Sequence, residues 1–211
     1  FLKYSLCQIE LDRQAAIAQR YDDQGTVTKE GMPDVWEPLR RMTHNLLPHL
    51  EFYRIDVTNR DQIRCLWRVH SRDIHVDIDD LSSGEKAVVQ LFFPLVEHHI
   101  NERLELIRGN ATITSREPLT VLMDEPELHL HPNLQGKVLD YVRALALGEG
   151  IQFILATHSP TIVEQATSEE LYLLRPAELA LGAENQLVQI ASDEERLGIM
   201  REIFGSTSNI T

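Results

Sequence analysis

The chain has 211 residues, 43% of them hydrophobic, which is enough to bury a core as one domain or as a large domain with an appendage and excludes a disordered chain. Its 33 Asp and Glu against 20 Lys and Arg give a formal net charge of -13, so the body of the chain lacks the clustered cations that hold nucleic acid non-specifically. No run of about 18 apolar residues is present, Phe1 to Ser5 start no signal-peptide core, and Cys7 and Cys65 stand alone, outside any CxxC spacing, which favours a reducing, cytosolic compartment.

Taken in chain order, residues 1 to 20 are helical in composition, and Asp22-Asp23-Gln24-Gly25 with Gly31 and Pro33 makes a polar, turn-rich interruption. Asp34, three residues before Glu37, suggests a helix start, and Trp36, Leu39, Met42, Leu46, Leu47 and Leu50 follow at helical spacing towards an end near Pro48. From Glu51 the period becomes two: Phe52, Ile55, Val57; a turn at Thr58-Asn59-Arg60-Asp61; then Ile63, Cys65, Trp67, Val69; then Ile74, Val76, Ile78. That pattern predicts a three-stranded antiparallel meander. Arg40-Arg41 and the stretch from Arg54 to Arg72 are the candidate basic patches, and both are interleaved with acids.

After Gly84 the apolar residues Val88, Val89, Leu91, Phe92, Phe93, Leu95, Val96 and Ile100 cover most of a helix circumference, as in a helix buried on several sides. Leu119 to Met123 and Ile151 to Ala156 are short, mainly apolar runs that read as buried parallel strands. Between them Leu134, Val138, Leu139, Val142 and Leu145 mark a crossover helix closed by Gly148, so the unit is a right-handed βαβ. Leu171 to Leu174 and Leu187 to Ile190 are two further strands, and Glu194 to Phe204 a terminal helix stopped by Gly205. The fold class is therefore α/β, with a mostly parallel sheet and an antiparallel meander ahead of the long helix.

Four short stretches carry chemistry. Leu81-Ser82-Ser83-Gly84-Glu85-Lys86 opens the long helix, and Ser82-x-x-Glu85 is a capping box. The same helix start favours an anion, because its free N–H groups and dipole face outwards. Val121-Leu122-Met123-Asp124-Glu125-Pro126 ends a strand in two carboxylates, at the edge where open α/β sheets bind ligands. Asp124 suits Mg²⁺, and Glu125 can polarise a water for attack on a phosphoryl group; an acidic strand end before a proline turn is the plainer alternative. Glu127-Leu128-His129-Leu130-His131 tempts a Zn²⁺ or Mn²⁺ reading with Asp124 nearby, but Pro132-Asn133 opens a helix, which makes a loop the better description. Thr157-His158-Ser159-Pro160 follows a strand, with Ser159 as cap and Pro160 at the first helical position. A phosphate-cradling loop is not written in the chain: only Gly136 precedes a lysine, the residue five before it is His131, and Lys137 is followed by Val138.

In this order and spacing the four stretches resemble the C-terminal half of an ABC-type ATPase head, as in the SMC, RecF and OLD families of AAA-type ATP-binding proteins. The resemblance is carried by Leu81-Ser-Ser-Gly-Glu85 as signature, Asp124-Glu125 as the end of Walker B, Asp124-Glu-Pro-Glu-Leu-His-Leu-His-Pro132 as the OLD- and RecF-like continuation into the D-loop, and Thr157-His-Ser-Pro160 as the switch histidine. It implies ATP and Mg²⁺ as cofactors, with Ser82, Ser83, Gly84 and Glu85 meeting the γ-phosphate held by a second head, Asp124 organising the metal, Glu125 positioning water and His158 sensing the γ-phosphate. His131 aligns with the D-loop aspartate of transporters, and Ser83 replaces their usual glycine. The Walker A lobe and Q-loop are absent from these 211 residues.

By the same resemblance residues 1–50 are the returning end of a helical or coiled-coil insertion and residues 51–211 the C-terminal lobe. The natural protein is then expected to be longer at both ends, or to receive its Walker A lobe from another chain. Partners implied are a second head, as a homodimer, and a Toprim-type nuclease domain; DNA contact is expected from outside this acidic chain, and no membrane is implied. Two other functions fit parts of the sequence: a non-catalytic interaction module that docks a partner, and a hydrolytic metal site on Asp124, Glu125, His129 and His131.

Overall fold

Two alternating patterns, helical at both ends and period-two in the middle, build the first of two compact units, residues 1–118; residues 119–211 form the second. The computed structural model describes residues 1–20, 32–58, 63–110, 118–175 and 184–205. The expected interruption at Asp22 to Gly31, the turn at Asn59 to Asp61 and the polar tail Ser206 to Thr211 lie outside the described residues.

The first unit begins with α1 (Leu2–Ala18) and α2 (Glu37–Leu46). Asp34 does not cap α2 as its spacing suggests; its Oδ1 accepts from the Trp36 N–H at 3.0 Å and turns the chain into the helix, whose cap is Trp36. The meander follows as β1 (Leu50–Asp56), β2 (Arg64–Val69) and β3 (Ile74–Asp77), paired antiparallel in the order β1-β2-β3. Phe52 faces Trp67 and Arg54 faces Leu66, so Tyr53 is the extra residue of a bulge. That bulge lets Phe52 and Ile55, three apart, both point inward, which strict alternation forbids.

A 3₁₀ turn at Ile78–Asp80 leads into α3 (Ser83–Arg108). Ten of its residues are buried, from Val88 to Ile107, and it packs against α1 and α2. Gln90, Pro94 and His98 form its exposed stripe. Pro94 is tolerated there because the carbonyl it leaves unbonded faces water. Gly109 ends the helix at φ +77°, a left-handed conformation that costs glycine little. Between the helices and the meander, Trp36 lies 4.8 Å from Phe52, and Phe52 meets Trp67 edge-on at 5.5 Å. With Leu6, Leu39, Met42 and Ile100 these rings are the core, each contributing about 2 kcal/mol by burial.

The second unit holds β4 (Thr120–Asp124) and β5 (Gln152–Ala156), paired parallel and joined through α4 (Pro132–Glu149). The crossover helix is closed by Gly150 at φ +68°, two residues beyond the expected Gly148, because Gly150 takes the left-handed cap and its N–H reaches Ala146 O. Short helix α5 (Pro160–Gln165), hairpin β6 (Tyr172–Arg175) and β7 (Gln186–Gln189), and α6 (Asp193–Phe204) complete it. The expectation that β4 and β5 are buried fails on one face. Leu122 and Ile154, register partners, are 73% and 53% exposed, whereas Met123 is 6% exposed. Helix α4 packs against β5. The face bearing Leu122 and Ile154 has no such cover among the described residues.

Candidate nucleotide site

The signature residues lie in the first unit. Ser82 caps α3, its hydroxyl accepting from the Glu85 N–H at 3.3 Å, while Glu85 Oε2 accepts from the Ser82 N–H at 2.7 Å. The capping box is therefore formed. Ser83 and Gly84 occupy the first two helical positions, whose N–H groups have no acceptor within the helix and point at whatever lies before it. A residue that sequence reading missed completes this corner: His49 Nε2 stands 2.6 Å from Glu85 Oε1. Burial pushes the Glu85 carboxyl up, but the His49 imidazole and the Ser82 hydroxyl and N–H outweigh it, and the net shift is downward. Nothing in the spacing of His49 marks it, since it sits 36 residues away on the turn before β1.

The acid pair and the histidine lie in the second unit, and the β4–β5 register brings them to one edge. Asp124 is the register partner of Ala156, so the two segments leave their strands side by side as Asp124-Glu125 and Thr157-His158. The Glu125 N–H donates to Ala156 O at 2.8 Å. Glu125 holds φ +45° and His129 φ +66°, a left-handed conformation that costs a non-glycine residue about 1 to 2 kcal/mol. Asp124 is exposed and Glu125 half-buried, so one carboxylate is free to meet a cation and its neighbour is shielded enough to act on a water.

Residues 126–129 form turns, as the helix opened by Pro132 requires. His131 caps α4, its Nδ1 accepting from the Asn133 N–H at 3.4 Å, with its side chain exposed. Among the described residues no three His, Cys, Asp or Glu side chains come together as metal ligands, so the alternating histidines have no zinc geometry behind them. The oxygen donors of Asp124 and Glu125 suit a hard cation that keeps most of its waters.

His158 is exposed, and its peptide N–H donates to Glu127 Oε1 at 2.8 Å. Ser159, 4% exposed, caps α5 through the Ile162 N–H at 3.2 Å and donates its hydroxyl hydrogen to Gln135 Oε1 at 2.6 Å. The far end of α5 is held by two arginines. Arg143 donates to Gln165 O at 3.0 Å, and Arg196 to Glu164 O and Ala166 O at 3.1 and 2.8 Å. Arg143 also forks onto Glu170 at 2.8 and 2.6 Å, which holds that carboxyl down at about 2. These bonds satisfy the last carbonyls of α5 and fix the helix that follows His158.

The family model described as "AAA domain, putative AbiEii toxin, Type IV TA system" matches residues 44–164. The chain is 31% identical over 107 residues to the Retron Ec83 probable ATPase of Escherichia coli, covering 51% of this chain and 18% of that protein. It is 34% identical over 94 residues to the Septu protein PtuA of Bacillus thuringiensis, covering 44% of this chain and 22% of that protein. The chain thus spans about a fifth of the length of the curated relatives it matches. A solved SMC ATPase, from work on ATP-driven dimerization and DNA-stimulated activation of those proteins, superposes with a TM-score of 0.51 at 16% identity, over 82% of this chain and 93% of that one. That likeness concerns the fold, an α/β arrangement of the SMC-head kind.

Proposed function

The chain belongs to the AAA-domain family whose model spans residues 44–164, and from that premise we propose that it is the C-terminal lobe of an ABC-type head that hydrolyses ATP with Mg²⁺. The observation that carries this reading is the shared edge of β4 and β5, where Asp124, Glu125 and His158 leave paired strands side by side. Asp124 is the ligand for Mg²⁺, which would neutralise charge developing on the phosphates. Glu125 takes a proton from the attacking water, and His158 donates a hydrogen bond to a γ-phosphate oxygen. Ser82, Ser83 and Gly84 offer the start of α3 to the γ-phosphate of a second head, Glu85 keeps that start capped, and His131 lies in the loop through which the heads communicate.

In this reading residues 1–50 return from an arm and residues 51–211 form the lobe. The Walker A lobe comes from the same polypeptide or another chain, and covers the exposed apolar face at Leu122 and Ile154. The likeness to a retron ATPase and a Septu protein, with the toxin–antitoxin description of the family, supports phage defence over DNA repair as the setting. Head pairing as a homodimer, a nuclease effector and DNA contact belong to the same proposal. No helix of the described residues is long and apolar enough to cross a membrane.

The test is Glu125→Gln in a protein that joins this chain to a Walker A lobe. ATP hydrolysis is expected to fall by about 100-fold or more with nucleotide binding retained, read by phosphate release and a nucleotide-binding titration. Hydrolysis at the unsubstituted rate would remove Glu125 as the base.

A further inference from the structure

Three ties bind the loop 125–131 to the segment that carries His158. The Glu125 N–H reaches Ala156 O at 2.8 Å. Gln135 bridges the far side, its Nε2 donating to Leu130 O at 2.9 Å and its Oε1 accepting from the Ser159 hydroxyl at 2.6 Å. Between them Glu127 Oε1 accepts from the peptide N–H of His158 itself at 2.8 Å. The other oxygen, Glu127 Oε2, is buried and has no hydrogen-bond partner among the described residues. A carboxylate kept partly unsatisfied works against stability, and so do the left-handed Glu125 and His129 that flank it, two residues to either side. Departures of this kind gather where geometry serves a function.

We propose that Glu127 is a positioning residue: its carboxylate fixes the His158 peptide, and with it the direction of the imidazole, so that movement of the loop after the acid pair is passed to the histidine. The inference rests on the reading of Asp124, Glu125 and His158 as a hydrolytic edge. Reach, and not charge, is what the role demands. Glu127→Gln keeps an acceptor oxygen at the same distance from the backbone, whereas Glu127→Asp keeps the charge and falls one methylene short.

In the protein joined to a Walker A lobe, Glu127→Asp is expected to lower kcat about 10- to 100-fold with KM for ATP within about twofold, while Glu127→Gln stays within about threefold of the parent. The loss should vanish in a His158→Ala background, where the double variant turns over like His158→Ala alone. Hydrogen exchange at the His158 amide should quicken in Glu127→Asp and stay slow in Glu127→Gln, while the paired amides of β4 and β5 stay slow in both, which separates loss of this one bond from misfolding of a variant. An active Asp variant beside an inactive Gln variant, losses that multiply in the double variant, or equal exchange in both would overturn the proposal. Glu125→Gln measured alongside separates the failures. If that variant is inactive and Glu127→Asp is unimpaired, the positioning role alone falls; if it is fully active, the hydrolytic edge falls and the positioning role with it.

Discussion

Glu85 shows how one carboxylate can serve both cap and corner: one oxygen holds the Ser82 N–H and the other meets His49. The capping half was legible in the Ser82-x-x-Glu85 spacing, and the His49 half was not, because a contact 36 residues away leaves no local pattern. Glu10 makes the same point. It lies buried in α1, accepting from Arg13, Gln14 and the Trp36 indole at 2.6 to 3.2 Å, and these bonds overcome desolvation to hold its carboxyl below the usual range. Glu170 gives the measurable case. Its folded value of about 2 lies below the ordinary 4.5, so the ion pair with Arg143 stabilises the fold above that ordinary value and is lost as pH falls towards 2. Both partners are partly exposed and screened, so Glu170→Gln should cost about 0.5 kcal/mol at pH 7, with the gap closing near pH 2 in denaturant melts.

At the scale of elements, the sequence placed the helices and strands well because their periods are written in apolar spacing. Departures came where a single residue changed the local rule: the Tyr53 bulge in β1, and Gly150 instead of Gly148 after α4. Helix α5 is six residues long, too short to persist without help, and the help is identifiable: Ser159 at its start, Arg143 and Arg196 at its end. Ser159→Ala removes the cap and strands the Gln135 carbonyl, so a loss of about 2 kcal/mol is expected by chemical denaturation. Ser192→Ala, which removes the exposed cap of α6, should cost about 1 kcal/mol or less by the same measurement.

Across the whole molecule, the apolar runs at 119–123 and 151–156 announced the parallel strands β4 and β5. Their exposure on one face was beyond the sequence, since a run of apolar residues reads the same whether both faces are covered or one. The consequence can be measured in this chain alone. Leu122→Ser should change folding stability by less than about 0.5 kcal/mol, whereas Met123→Ala, next to it on the other face, should cost about 2 to 5 kcal/mol in urea.

The sequence by itself determined the order of elements, the capped start of α3, the strand ending in Asp124-Glu125 and the Thr157-His158-Ser159-Pro160 turn, because each depends on neighbours within about four residues along the chain. Only the tertiary structure decided that His49 closes on Glu85, that Ala156 pairs with Asp124 and so brings the Thr157-His158 segment to the edge that carries Glu125, and that Glu127 grips the His158 peptide. Those contacts join residues some 30 positions apart, and strand register and helix packing, not local propensity, bring them within hydrogen-bonding distance.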